Sequence, residues 1–211
     1  MDLTLTRDTR LLFIGDSITD CGRREDKDAL GAGYVRRVRD YLAANDPATA
    51  PVVINSGISG NKIPDLQKRW DRDVLEHQPD VVSIKIGVND VWHGLHPERQ
   101  GCAIEPFTAG YREILTNLKQ ALPACAIVLC EPSVIRPPAP AEGNEKLQPY
   151  LRAVHELAEE FGAACVVPLH GAFESAYAAR PDIAWTTDGV HPTSAGHMLI
   201  ALTWLRACGL S

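Results

Sequence analysis

The chain is poor in the features that mark several functional classes. No block of lysine and arginine stands out, and the formal net charge is -6. Nucleic acid and anionic membrane surfaces are therefore excluded as expected partners. No run approaches the about 18 consecutive apolar residues of a membrane span. The opening Met1-Asp2-Leu3-Thr4 lacks a basic region followed by an apolar one, so no secretory leader is expected there and the expected location is cytoplasmic. The six cysteines (21, 102, 125, 130, 165 and 208) form no Cys-x-x-Cys and no Cys/His group with zinc spacing, so no metal is expected and the thiols are expected to be reduced. Neither Gly-x-Gly-x-x-Gly nor a P-loop is present, which removes the main support for a nucleotide binder. No internal repeat is visible.

What the chain does have is size and alternation. Its 211 residues are 45% hydrophobic, enough for one domain, expected over 1–211, with a sizeable core. Five short apolar runs, at 11–14, 52–54, 81–86, 126–130 and 165–167, are rich in β-branched residues and mostly continuous. Continuity of this kind marks strands of a parallel sheet buried on both faces. Helical patterns fall between and after them, at 33–44, 64–76, 106–122, 145–161, 171–179 and 194–208, with Pro64 and Pro106 suited to first turns. Strand and helix in alternation predict an α/β sheet covered on both faces. The proline-rich stretch 136–143 is expected to be a surface loop.

In such sheets ligands bind outside the carboxyl ends of the strands. Four segments fall at or near that edge. Gly15-Asp16-Ser17 follows the first strand and puts a serine at a strand-to-helix turn, where outward N–H groups can receive negative charge. A plain helix cap would use the same residues. Gly57-Ile58-Ser59-Gly60-Asn61 follows the second strand, and the Gly60 N–H is a candidate oxyanion donor, although an ordinary glycine-rich turn fits too. Gly87-Val88-Asn89-Asp90 follows the third, with the Asn89 amide as a further donor and Asp90 suited to capping. Asp188-Gly189-Val190-His191-Pro192, before the last helix, pairs a carboxylate with an imidazole. That spacing lets Asp188 hold one ring nitrogen of His191 while the other faces Ser17, the composition of a nucleophilic triad. His197, inside the last helix, is expected to be structural or exposed.

Taken in this order, the four segments resemble the SGNH hydrolases, or GDSL-type esterases, over nearly the whole chain. Ile18 stands where the leucine of the family's name would be, and the Gly-x-Ser-x-Gly elbow of α/β-hydrolases is absent. The resemblance implies an α/β/α three-layer sandwich around a flavodoxin-like parallel five-stranded sheet, with no metal and no cofactor. It implies Ser17 as nucleophile, His191 as base and Asp188 as its orienting acid. The Ser17 N–H, the Gly60 N–H and the Asn89 amide would form the oxyanion hole. The strings Ile-Gly-Asp-Ser-Ile-Thr-Asp-Cys-Gly-Arg, Gly-Ile-Ser-Gly-Asn and Asn-Asp-Val-Trp are similar to those of bacterial acetyl xylan esterases in this superfamily. This implies removal of acetyl groups from xylan-derived sugars and higher oligomers, so a homo-oligomer is expected. Asp16, Trp92 and Trp185 are the expected substrate-binding residues; the two indoles suit a sugar face, and core packing suits them equally. Lipid-type esterase, thioesterase or lysophospholipase activity on the same scaffold is the alternative within enzymes. A carbohydrate-binding module with an inactive site is the alternative outside them.

Overall fold

Leu11, Leu12, Phe13 and Ile14 have no solvent exposure, and they form the middle of β1 (Arg10–Gly15) at the heart of a parallel sheet. The computed structural model describes residues 3–211; Met1 and Asp2 of the N-terminal reading lie outside the described residues. The other strands are β2 (Val52–Asn55), β3 (Val81–Lys85), β4 (Ala126–Cys130) and β5 (Cys165–Val167). Their order is β2-β1-β3-β4-β5, with every pair parallel. This is the flavodoxin-like order, and the chain reverses its direction of travel across the sheet between β1 and β3. In sheets of this order ligands bind outside the carboxyl ends of the strands at that reversal.

Among the described residues eight α-helices surround the sheet: α1 (Ser17–Asp20), α2 (Tyr34–Asn45), α3 (Ile63–Asp73), α4 (Val88–Trp92), α5 (Ile104–Ala121), α6 (Gly143–Phe161), α7 (Leu169–Ala179) and α8 (Ser194–Ala207). α2, α7 and α8 pack together on one face, and α3, α5 and α6 on the other. The α/β/α three-layer architecture follows from this arrangement, because a sheet apolar on both faces must be covered on both.

The helices α3, α5, α6 and α7 start one or two residues earlier than the sequence pattern indicates. Pro64 and Pro106 nevertheless lie in first turns, where a missing N–H costs nothing. The two shortest helices, α1 and α4, are not visible as periodic patterns because neither completes two turns. Both are created by strand ends, and both carry candidate site residues.

Candidate active site

Ser17 is the first residue of α1, directly after β1. Asp16 caps this helix: its Oδ1 accepts the Ile18 N–H at 2.9 Å. Asp16 is fully buried, and among the described residues its other oxygen has no partner, so the residue caps the turn beneath Ser17. The Ser17 Oγ lies 3.0 Å from His191 Nε2. His191 Nδ1 lies 2.7 Å from Asp188 Oδ2. A carboxylate can only accept, so Nδ1 carries the proton and Nε2 presents a lone pair to the serine hydroxyl.

Asp188 does more than hold the ring. Its Oδ1 accepts the backbone N–H groups of Val190 at 3.0 Å and His191 at 2.8 Å. Burial pushes this carboxyl upward, but the donors from the His191 backbone, the His191 ring and Val190 outweigh it, and the group sits below its ordinary value. It is thus ionised when the imidazole is neutral.

The loop that carries this pair is closed by a bridge between Thr186 and Pro192 and by the Thr187 N–H donating to the His191 carbonyl at 2.8 Å. Gly189 has φ +88°, and an added Cβ would lie 1.8 Å from the Arg136 carbonyl oxygen. Only glycine combines that backbone with that approach. The Arg136 N–H donates to the Gly189 carbonyl at 3.0 Å. The proline-rich loop therefore braces the His191 loop, a contact no sequence signal announced.

The other two segments converge on the same edge. Gly60 has φ +80° and nothing within 4 Å of the position a Cβ would take, so its backbone faces open space. The Asn89 Nδ2 donates one hydrogen to the Asn61 carbonyl at 3.1 Å, leaving its second hydrogen available. The neighbouring Asp90 accepts the Ile63 N–H at 3.0 Å, which ties α4 to the start of α3. Burial raises the Asp90 carboxyl to about 7, so it is a structural acceptor rather than a firm anion.

Arg69, on α3, holds the assembly from below and was not anticipated. It is 7% exposed, and its guanidinium donates to the carbonyls of Gly15 at 3.1 Å and Ser56 at 2.7 Å and to Asn61 Oδ1 at 2.8 Å. Its charge is met by Asp73 at 2.8 Å. Burial pulls Arg69 below its ordinary value, and Asp73 works against that pull. One side chain thus ties the end of β1 to the loop after β2. Asp20 adds a second tie by accepting the Ser59 N–H at 3.0 Å and the Ser59 hydroxyl at 2.8 Å.

The two candidate tryptophans differ. Trp92, at the end of α4, meets the His191 ring edge-on, with centroids 5.5 Å apart and planes at 77°. Arg99 lies over the Trp92 ring at 5.7 Å, and His96 packs against it at 5.5 Å. Trp185 is half-buried and donates its indole N–H to the Arg180 carbonyl at 3.1 Å. A cavity of about 620 Å³ lies between α4, α5 and α6 and shares Asp90, but Ser17 and His191 do not line it. Among the described residues no group of three or more His, Cys, Asp or Glu is placed to hold a metal ion. Among the described residues no helix is long and apolar enough to cross a membrane.

Comparison with known proteins adds to this geometry. A profile of the GDSL-like Lipase/Acylhydrolase family matches residues 13–199. The acetylxylan esterase of Geobacillus stearothermophilus is 37% identical over 214 residues, covering 95% of this chain and 94% of that protein. A crystal structure of an acetylxylan esterase from that organism superposes with a TM-score of 0.88 at 35% identity, covering 99% of this chain and 98% of that one. A protein described as GDSL-like lipase from Parabacteroides merdae superposes with a TM-score of 0.92 at 38% identity over 100% of both chains.

Proposed function

This chain belongs to the GDSL-like lipase/acylhydrolase family and is a carboxylic ester hydrolase, and on that premise we propose that it removes acetyl groups from xylo-oligosaccharides through Ser17, His191 and Asp188. The observation that carries the proposal is the unbroken relay from Ser17 Oγ to His191 Nε2 at 3.0 Å and from His191 Nδ1 to Asp188 Oδ2 at 2.7 Å.

In this mechanism His191 takes the Ser17 proton as Oγ attacks the acetyl carbonyl carbon. The ester C=O electrons move onto oxygen, and the resulting oxyanion is received by the Ser17 N–H, the Gly60 N–H and the free Asn89 hydrogen. The imidazolium, steadied by Asp188, protonates the leaving sugar oxygen as the C–O bond breaks. Water then attacks the acetyl-serine, giving its proton to His191, and acetate leaves as Ser17 recovers its proton. The cycle needs one base that reverses its role, and a neutral imidazole with a fixed Nδ1 proton supplies it.

The acetyl and xylose parts of the proposal rest on the likeness to the Geobacillus acetylxylan esterase at 37% identity. The likeness to the Parabacteroides protein described as GDSL-like lipase keeps a longer acyl chain as a second reading. All six cysteines are free thiols, which suits the cytoplasmic location proposed for it. We take residues 1–211 as one catalytic domain.

The test is a hydrolysis series for wild type and Ser17→Ala with acetylated xylo-oligosaccharides and with p-nitrophenyl esters of increasing acyl length. Acetate release that falls by about 10⁴-fold or more in the variant, with a sharp decline beyond short acyl chains, is the expected result. Preference for long chains would transfer the assignment to the lipase reading. Turnover retained by Ser17→Ala would remove the nucleophile.

A further inference from the structure

Two cationic side chains, Arg99 and Lys62, stand near the candidate site of a molecule whose formal net charge is -6. Arg99 is exposed and lies 5.7 Å over the Trp92 ring, and Trp92 in turn meets His191 at 5.5 Å. The guanidinium therefore sits one indole away from the imidazole that faces Ser17. Lys62, next to the Gly60-Asn61 turn, donates its ammonium to the Gln100 carbonyl at 2.5 Å. That bond pins the segment carrying Arg99 against the loop after β2. His93 and His96 flank the same indole, with centroids 6.0 Å and 5.5 Å from it. Burial first, and then the surrounding Arg99, Lys62 and His96, hold His93 below its ordinary value, against a small opposite pull from buried Asp16.

The Arg99 charge is uncommitted. It forms no ion pair among the described residues, and what sets it apart from other exposed, unpaired arginines such as Arg24 and Arg152 is its seat over the Trp92 ring. The acids of this region are the exposed Glu98 next to it in the chain, Asp65 at the Lys62 backbone, Asp188 on His191, and buried Asp16 and Asp90, and none of them pairs with Arg99 among the described residues. Seated on an indole face, the guanidinium is partly fixed while its fork of donors remains open. It also covers a Trp92 face that a sugar ring would otherwise stack on. A planar, pre-positioned, unpaired guanidinium beside an ester-cleaving site is suited to a carboxylate.

We propose that Arg99, held over Trp92, receives a carboxylate of the substrate, so that the enzyme acts on acetylated xylo-oligosaccharides that carry a uronic acid. The inference rests on the acetyl-saccharide reading above and deepens it. The uronate occupies a sugar next to the acetyl ester or a branch on the same sugar, and it reaches the guanidinium while the acetyl carbonyl lies against Ser17. Lys62 keeps the Arg99 segment in place through its bond to the Gln100 carbonyl.

The experiment compares kcat/KM for two matched substrates, an acetylated xylo-oligosaccharide with and without a glucuronic acid branch. The full-length protein is used as wild type, Arg99→Gln and, as a remote control, Arg112→Gln. Wild type should favour the acidic substrate by about threefold at low salt, mostly through KM, with the preference shrinking as salt is raised. Arg99→Gln should abolish that preference, and Arg112→Gln should keep it. Equal kcat/KM for the two substrates in wild type, or a preference that survives Arg99→Gln, overturns the assignment of Arg99 while leaving the acetyl-saccharide reading intact. Failure to release acetate from either saccharide, with p-nitrophenyl acetate still cleaved, overturns both.

Discussion

At the scale of single residues the site divides into groups that would react and groups that hold them. Asn89, as the proposed oxyanion donor, would belong to both. One hydrogen of its amide is anchored to the Asn61 carbonyl, and this fixes the direction of the other. An oxyanion donor earns its effect by being aimed before charge develops, since it then needs no reorganisation in the transition state. Asn89→Ala should therefore lower kcat by about 100- to 1000-fold with little change in KM. Steady-state kinetics on p-nitrophenyl acetate measures this, and a loss of only a few-fold would remove Asn89 from the oxyanion hole. The residue types of the site were legible in the sequence because each stands in a short, ordered motif at the end of an apolar strand. Arg69, the Arg136 brace and the Arg99 seat were not. Their partners are backbone carbonyls or ring faces supplied by segments far away in the chain, and neither leaves a local pattern. Asp16 was legible as a polar residue beside the serine, and the Ile18 N–H it accepts makes it also the cap of α1.

At the scale of elements, α2 and α8 meet through one histidine. His197, on α8, accepts the Tyr34 N–H at 3.2 Å through Nδ1, which satisfies a first-turn donor of α2 that has no partner within its helix. Its Nε2 lies 3.4 Å from the Cys21 sulfur at the end of α1. Burial, followed by Arg37, Lys85 and His191, pulls His197 down to about 4. The folded state thus binds this proton more weakly than the unfolded chain does. The stabilisation is present above the unfolded value of about 6.5 and is lost as pH falls from there through about 4. The group can cost on the order of 3 kcal/mol across that window. Asp90, raised by burial to about 7, works in the opposite sense there, so the wild-type curve alone mixes the two. Urea unfolding of wild type and His197→Gln at pH 7 and pH 4.5 separates them. The variant should lose less stability on acidification, and parallel losses would refute the assignment. The helix was legible as a pattern; the histidine's partner was not, because a lone histidine among apolar residues gives no sign of which helix it faces.

At the scale of the whole molecule the proposed triad residues come from opposite ends of the chain, and something must hold the ends together without a disulfide, since all six cysteines are free. The strand order does half of this. It sets β1 beside β3, so the loops bearing Ser17 and Asn89 emerge side by side. This much was legible, because strands of continuous apolar residues alternating with helices leave few topologies open. The other half is α8, which begins three residues after His191 and is pinned to the sheet by Trp204. Trp204 is fully buried, its ring lies 5.2 Å from that of Phe13 in β1, and its indole N–H donates to Ser83 Oγ of β3 at 2.9 Å. Trp204→Ala would leave a large void between α8 and strands β1 and β3, and would leave the Ser83 hydroxyl only the Cys130 thiol at 3.6 Å. Such truncations cost about 3–5 kcal/mol, a large part of the about 5–15 kcal/mol that holds a typical domain together. Denaturant melts followed by circular dichroism should show the midpoint falling by that margin with an unchanged slope, while Trp204→Phe, which keeps most of the ring, should lose much less. If α8 is the strut that keeps His191 over Ser17, esterase activity in Trp204→Ala should vanish at a lower denaturant concentration than the circular dichroism signal does. Coincident loss of the two signals would mean that the His191 loop is held by its own bridge and by Arg136, with α8 contributing only to global stability.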